Sequence, residues 1–240
     1  ILTGIHVASY GKDLKNINLL DVIENISKIE GIERIRLSSI EPTFIDKEFM
    51  EKVKANKKFC DHFHLSLQSG SNSVLKRMNR KYTTEEYKHI VELIRSYMPA
   101  AGITTDIIVG FPGETEEEFQ ETYDFVKTIG FSRIHVFKYS PRKGTPASQM
   151  DNQIHGSIKQ ARSEELIKLG NQLANSFMES FLGKTMEVLF EEEKDGYFEG
   201  YTTNYLRVKV KTSKDLQGKI LPVKIIDKKE DILVGKIEEF

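Results

Sequence analysis

Cysteine is nearly absent from this sequence: its 240 residues hold one, Cys60. That excludes an internal disulfide framework and any metal site built from several of the chain's own thiolates. No apolar run reaches the roughly 18 residues that a membrane span requires, and no secretory signal is visible, so a soluble, cytoplasmic chain is expected. Neither sign of charge dominates. The 35 basic and 36 acidic residues leave a net charge of −1, so any contact with a polyanion must be local. Internal repeats and low-complexity tracts are missing too. What is present is a composition of 39% hydrophobic and 30% charged residues, able to bury a sizeable core. The length suits one large domain, or a medium domain with a small one appended. The chain opens on Ile1-Leu2-Thr3-Gly4-Ile5-His6-Val7, a strand pattern without an initiator methionine, and reads as a piece of something longer.

Up to about residue 181, short β-rich runs alternate with longer helical ones. Strands are expected at 1–7, 34–39, 62–68, 104–111 and 133–140, and helices near 19–30, 45–56, 83–98, 115–129 and 157–181. Two of the helices open with capping boxes, Thr83 with Glu86 and Thr115 with Glu118. This order implies parallel strands joined by helical crossovers, an α/β fold. The strands alternate in polarity: Phe63, Leu65 and Leu67 share one face, and His62, His64, Ser66 and Gln68 the other. Sheets covered on both faces usually lack this alternation. A partial barrel with helices outside and a polar, ligand-binding interior fits the pattern, and five strands are too few to close it. From residue 182 to 240 the pattern becomes five short strands, at 186–191, 197–201, 206–211, 219–223 and 233–237, which suggests a small antiparallel β-barrel.

Several residues on the polar face or at strand ends could carry chemistry. Gly110-Phe111-Pro112-Gly113-Glu114-Thr115 leaves a strand and opens a helix. It is either a Pro-Gly turn or a loop where a ligand passes close to bare backbone. Gln68 can hydrogen-bond a sugar hydroxyl, and Arg80 offers a fork suited to a carboxylate. Glu41 and Asp106 are either solvated carboxylates or, if they converge on one cavity, ligands for a ribose or an amine. His62, His64 and His135 lack metal-ligand spacing and are read as lining or packing groups; Cys60 is read as a small apolar residue. In the tail, Arg207, Lys209 and Lys211 alternate along one strand, near Tyr197, Phe198, Tyr201 and Tyr205. A basic face with aromatics beside it is an RNA-binding pattern, set against the plainer reading of a solvated sheet face.

Taken together, the motifs resemble the radical S-adenosylmethionine (SAM) methylthiotransferases over essentially the whole chain. The strings that carry the resemblance are Leu2-Thr3-Gly4-Ile5-His6, Arg34-Ile35-Arg36-Leu37-Ser38-Ser39-Ile40-Glu41-Pro42 and His64-Leu65-Ser66-Leu67-Gln68-Ser69-Gly70-Ser71. Leu75-Lys76-Arg77-Met78-Asn79-Arg80, Asp106-Ile107-Ile108-Val109-Gly110-Phe111-Pro112-Gly113-Glu114-Thr115 and Tyr139-Ser140-Pro141-Arg142-Lys143-Gly144-Thr145-Pro146-Ala147 complete the set. The resemblance implies a radical-SAM (β/α) barrel over 1–181, incomplete here, and an RNA-binding TRAM-like module over 182–240. It also implies two [4Fe–4S] clusters, one on an N-terminal domain and one on a CxxxCxxC loop. This sequence contains neither cysteine triad, so the chain by itself is expected to be inactive.

Within the family, the Leu-Thr-Gly-Ile-His and Ser-Ser-Ile-Glu-Pro strings are most similar to the enzymes acting on N6-threonylcarbamoyladenosine at position 37 of the tRNA anticodon loop. Those enzymes form the 2-methylthio derivative and draw electrons from a reductant. The isopentenyladenosine and ribosomal protein S12 branches are the alternatives, together with a non-enzymatic RNA-binding protein or a porphyrin-oxidising radical-SAM enzyme. The resemblance assigns Gln68 and Asp106 to the SAM ribose, Arg80 to its carboxylate and Glu41 to its methionyl or ribose end. Gly4 falls at the strand edge facing the methionine amine, and Gly110 and Phe111 at the adenine. No residue is assigned as catalytic or as a metal ligand.

Overall fold

The computed structural model describes residues 1–14 and 17–238. Four parallel strands lie side by side in sequence order: β1 (Ser39–Ile40), β2 (His62–Leu65), β3 (Gly102–Val109) and β4 (Arg133–Lys138). The crossovers between them contain α2 (Lys47–Ala55), α3 (Asn72–Arg77) with α4 (Thr84–Tyr97), and α5 (Glu116–Ile129); α1 (Leu19–Ser27) precedes β1. Both expected capping boxes form. Thr83 N–H donates to Glu86 Oε2 at 2.8 Å and Thr115 N–H to Glu118 Oε2 at 2.9 Å, while each threonine hydroxyl accepts the return bond. The helix-facing side chains Phe63, Leu65, Leu67, Ile107 and Val109 are fully buried, in one core with Phe49, Tyr87, Val91 and Phe119. Burial of that apolar face, at about 25 cal/mol per Å², fixes the register and leaves the other face polar.

Apart from the strand expected at 34–39, which narrows to β1 with isolated bridges at Ile35 and Leu37 before it, two elements differ from the sequence expectation. The first strand shrinks to a single parallel bridge, Leu2 with Leu37, in which Leu2 N–H donates to Arg36 O at 2.8 Å and Ser38 N–H to Leu2 O at 2.9 Å. The chain then turns at His6, whose Nδ1 is bonded to Ser9 Oγ at 2.5 Å, and enters a 3₁₀ turn over Val7–Ser9. Among the described residues this segment has a β neighbour on one side only, and local turn bonds win over extension. The second difference is α3, which sequence periodicity does not reveal because six residues are too few to show a period. Its Val74 and Leu75 are buried.

Helix α6 (Gly156–Glu179) crosses beside β4 and runs on into the second unit, where Met178 and Phe181 join a separate core with Val188, Phe190, Val208, Val223 and Leu233. Strands β5 (Thr185–Lys194), β6 (Tyr197–Thr202), β7 (Arg207–Lys211), β8 (Ile220–Lys229) and β9 (Ile232–Ile237) close a barrel in the order β5-β6-β7-β9-β8. Four of its pairings are antiparallel as expected; β7 with β9 is parallel. A closed barrel leaves no unpaired edge.

The two units are clamped together. Arg34 donates to Tyr201 O at 2.7 Å and Glu187 O at 3.0 Å, and Asn204 Nδ2 donates to Ala100 O at 2.9 Å. Gly102 is required at this crossing, since a Cβ there would lie 2.3 Å from Asn204 O. Tyr205 stacks on Tyr201 with centroids 4.7 Å apart at 16°, and lies 4.9 Å from the His62 ring. Both tyrosines therefore belong to the junction, and Phe198 lies in the barrel core. Of the aromatics grouped with the basic strand, Tyr197 stands opposite Lys211 and Tyr201 opposite Arg207.

Candidate active site

The polar face of the sheet is the inner wall of the open half-barrel. Its pleat presents His62 and His64 from β2, Thr104 and Asp106 from β3, and Arg133 and His135 from β4, in register across the strands. A cavity of about 1130 Å³ lies against this wall, lined by Arg36, Ser38, His62, His64, Thr104 and His135 among others, and reaching Tyr205 of the second unit. Asp106 Oδ2 lies 3.3 Å from His64 Nε2, and Oδ1 has no protein partner among the described residues. The bond from His64 holds the Asp106 carboxyl below the usual carboxylate range against the opposing effect of partial burial.

Gln68 sits just past β2 with φ of +73°. Its N–H donates to Asp106 O at 2.9 Å, and its carbonyl accepts from Ile108 N–H at 2.8 Å. The left-handed turn thus bridges to β3 and places Gln68 next to Asp106 at the carboxyl ends of the strands. Arg80 follows α3. Tyr82 pins this segment to the end of β2, its hydroxyl donating to Ser66 O at 2.7 Å and Leu67 O at 3.0 Å; burial pushes that phenol up to about 12. Arg80 and Glu41 line one small cleft of about 110 Å³ with Thr43 and Met78. Glu41 also pairs with His6 at 3.4 Å.

Gly110 has φ of +70°, and its N–H donates to Glu114 Oε2 at 2.7 Å. A Cβ at Gly110 would come within 2.4 Å of Lys159 Cγ. Phe111 is buried with its ring edge-on to Tyr139 at 5.2 Å. Gly4 is exposed, beyond the Leu2 bridge. The structure thus brings Gln68 to Asp106 and Glu41 to Arg80. Gly110 and Phe111 pack against α6 and Tyr139.

Two charged residues that hold this loop were not found from sequence. Arg162 on α6 is buried and donates to Glu114 O at 3.1 Å and Glu114 Oε2 at 2.8 Å; Lys159 Nζ donates to Tyr139 O at 3.0 Å. They stand among other charged residues of α6, and nothing in the sequence distinguishes them from a solvated face. Ile108 was missed although its signal is readable: it keeps the pleat parity of Asp106 and places an apolar side chain on the inner wall, paired with Phe137 of β4. Phe137 is 54% exposed.

An open parallel sheet with helical crossovers and polar groups gathered at its strand ends defines an α/β protein of the kind that binds ligands at the carboxyl ends of its strands. The chain belongs to the radical SAM superfamily, whose family model matches residues 3–126. It is 44% identical over 232 residues to the threonylcarbamoyladenosine tRNA methylthiotransferase MtaB of Bacillus subtilis (strain 168), covering 94% of this chain and 51% of that protein. It is 42% identical over 229 residues to the tRNA-2-methylthio-N(6)-dimethylallyladenosine synthase of Pelotomaculum thermopropionicum, with the same coverages. The chain spans about half the length of these curated relatives. Among solved structures, the coproporphyrinogen III oxidase HemN of Escherichia coli, a radical SAM enzyme, aligns at a TM-score of 0.49 and 17% identity, over 71% of this chain and 46% of that one.

The superfamily implies SAM and a [4Fe–4S] cluster, and the residues suit the two differently. For SAM they fit: the Gln68 amide and the Arg80 guanidinium have no hydrogen-bond or ion-pair partner among the described residues, and Asp106 keeps one oxygen free. For the cluster they do not. Cys60 is buried, with burial pushing its thiol up and away from the thiolate a cluster needs. No group of three or more His, Cys, Asp or Glu side chains suited to a metal occurs among the described residues. No described helix is long and apolar enough to cross a membrane.

Proposed function

We propose that this chain supplies the SAM-binding wall and an RNA-binding barrel of a tRNA methylthiotransferase that acts on N6-threonylcarbamoyladenosine at position 37 of the anticodon loop, in the cytoplasm. The observation that carries the reading is the meeting of Gln68 and Asp106 at the end of β2 and along β3, with the Gln68 amide and one Asp106 oxygen free of partners among the described residues. Gln68 and Asp106 would take the ribose hydroxyls, Asp106 through its free Oδ1. Arg80 would take the methionyl carboxylate, with Glu41 beside it in the same cleft. Ile108 and the Gly110-Phe111 backbone would bound the adenine, and Gly4 the methionyl amine. SAM, when bound, supplies the adenosyl radical source and the methyl group. Any cluster would be held by thiolates other than those of these 240 residues, and no step is assigned to it. The C-terminal barrel, read as a TRAM-like module, would hold tRNA through the β7 face of Arg207, Lys209 and Lys211, with the two lysines making the phosphate contacts.

The threonylcarbamoyl branch is favoured over the isopentenyl one because the Leu-Thr-Gly-Ile-His and Ser-Ser-Ile-Glu-Pro strings are most similar to it, in keeping with the 44% identity to the Bacillus subtilis protein. The test is nucleoside mass spectrometry of bulk tRNA from cells in which the gene is disrupted. The expected result is loss of 2-methylthio-N6-threonylcarbamoyladenosine, with its unthiolated precursor accumulating. Loss of the 2-methylthio isopentenyl nucleoside instead would move the substrate to the other branch, and no change in either would end the proposal.

A further inference from the structure

A chain of four side chains crosses the inner wall: Asp106, His64, Thr104 and His62. His64 Nε2 lies 3.3 Å from Asp106 Oδ2, His64 Nδ1 lies 2.9 Å from Thr104 Oγ1, and Thr104 Oγ1 lies 3.3 Å from His62 Nε2. Their proton positions can be worked out from one end. Asp106 is held ionised, so it can only accept, and His64 Nε2 must carry the proton between them. In the neutral form of the ring Nδ1 is then a bare acceptor, and the single hydroxyl proton of Thr104 points to it. The hydroxyl oxygen is left to accept from His62 Nε2–H. His62 is 4% exposed and kept neutral by burial, so its Nδ1 carries no proton; that atom has no partner among the described residues. Every donor in the chain points toward Asp106, and each bond fixes the tautomer of the next ring.

We propose that His64 and Thr104 are positioning residues that fix the Asp106 carboxylate, tying down Oδ2 and presenting Oδ1 to a ribose hydroxyl of the bound nucleoside. The inference rests on the reading that Asp106 faces SAM. The geometry that carries it is the in-register placement of His64 opposite Thr104, one pleat before Asp106, so that one imidazole reaches both. His62 terminates the chain where the sheet meets Tyr205.

Two measurements test it on the chain as it exists. The first needs no ligand. Long-range ¹⁵N–¹H correlation of the imidazoles at pH 8 is expected to show both His62 and His64 as the Nε2–H tautomer. Thr104→Val is expected to release His62 into a tautomer mixture. An Nδ1–H tautomer at His64, or spectra of His62 and His64 unchanged by Thr104→Val, overturns the proposal. The second is calorimetric titration with SAM. Thr104→Val and His64→Ala are each expected to weaken binding by roughly three- to tenfold, with neither adding to the loss already caused by Asp106→Ala. His64→Gln, which keeps a donor for Asp106, is expected to restore most of the affinity. Losses that add in the double variants would show a merely structural role and overturn the proposal. Unchanged SAM affinity in Asp106→Ala would instead sink the reading of Asp106 as a SAM ligand, and the inferred role with it, even if the tautomers are as expected.

Discussion

The Arg36 guanidinium lies over the Tyr205 ring, its central carbon 3.6 Å from the ring centroid. Arg36 comes from the segment leading into β1 and Tyr205 from the barrel, and Tyr201 stacks on the Tyr205 ring as well. A cation over an aromatic face is worth about 0.5–2 kcal/mol and an aromatic pair about 0.5–1.5 kcal/mol beyond its buried area. Tyr205 therefore joins two units whose apolar cores are separate. Tyr205→Ala is expected to cost about 1–3 kcal/mol, to split a single thermal transition into two, and to expose the end of α6 to protease. A single transition with an unchanged midpoint in calorimetry would show that the ring is not what couples the units.

Acid should loosen the same junction. Burial, with help from Arg36 and His64, lowers His62 from 6.5 to about 3. Its folded-state value is depressed, so the neutral ring contributes stability that is present above about 6.5 and lost as pH falls toward 3. The slope is about 1.4 kcal/mol per pH unit. His135 is lowered as well and Asp106 lies below its usual range, so the check is a difference measurement. Urea midpoints of the parent and His62→Gln should diverge between pH 7 and 4, with the parent losing more. Parallel curves would refute this.

The loop that ends β3 depends on a buried ion pair. Arg162 and Glu114 lie 2.8 Å apart, with side chains 7% and 1% exposed. Burial is the largest influence on Glu114 and raises its carboxyl despite the arginine. Arg162→Met should therefore strand a buried carboxylate at a cost of about 3–5 kcal/mol. A raised value means stability present at low pH and lost as pH rises through it, so the variant should be closest to the parent in acid and furthest from it at neutral pH. Adding Glu114→Gln should recover part of the loss. Chemical denaturation at pH 5 and pH 8 checks both points, and a pH-independent deficit would contradict them.

How much of this was legible beforehand follows from the physics of each residue. The alternation of Phe63, Leu65 and Leu67 with His62, His64 and Gln68 is a period-two signal along one strand, and it gave both faces of the sheet. Capping at Thr83 and Thr115 is local chemistry within four residues, so it was readable too. Lys159 and Arg162 were not, because their burial is decided by a loop some 50 residues away. Tyr201 and Tyr205 look like a nucleic-acid platform in sequence, since an aromatic beside basic residues carries no mark of which surface it meets. The packing of Arg36 and His62 against Tyr205 is what places that ring at the junction.

The basic face proposed to meet RNA is narrower than its spacing implies. Arg207, Lys209 and Lys211 alternate along β7 as expected, but they are not equivalent. Arg207 is bonded to Glu199 on β6, its Nε at 3.0 Å from Oε2, and that bond holds the guanidinium above its ordinary value. Lys209 lies 5.1 Å from the Tyr197 ring, and Lys211 is exposed at the strand end opposite Tyr197. Phosphate contact requires a cation that can leave its present partner, and each such contact steepens the fall of log affinity with log salt by about 0.7–0.9. Lys209→Glu with Lys211→Glu should therefore weaken tRNA binding and flatten the salt slope by about 1.4–1.8, the loss of two contacts. Arg207→Gln should change that slope little and act mainly on barrel stability by freeing Glu199. Salt titrations of tRNA binding on the whole chain, with thermal midpoints of each variant alongside, separate the two effects. A larger loss of slope from Arg207→Gln than from the double lysine variant would place the contact on the arginine instead.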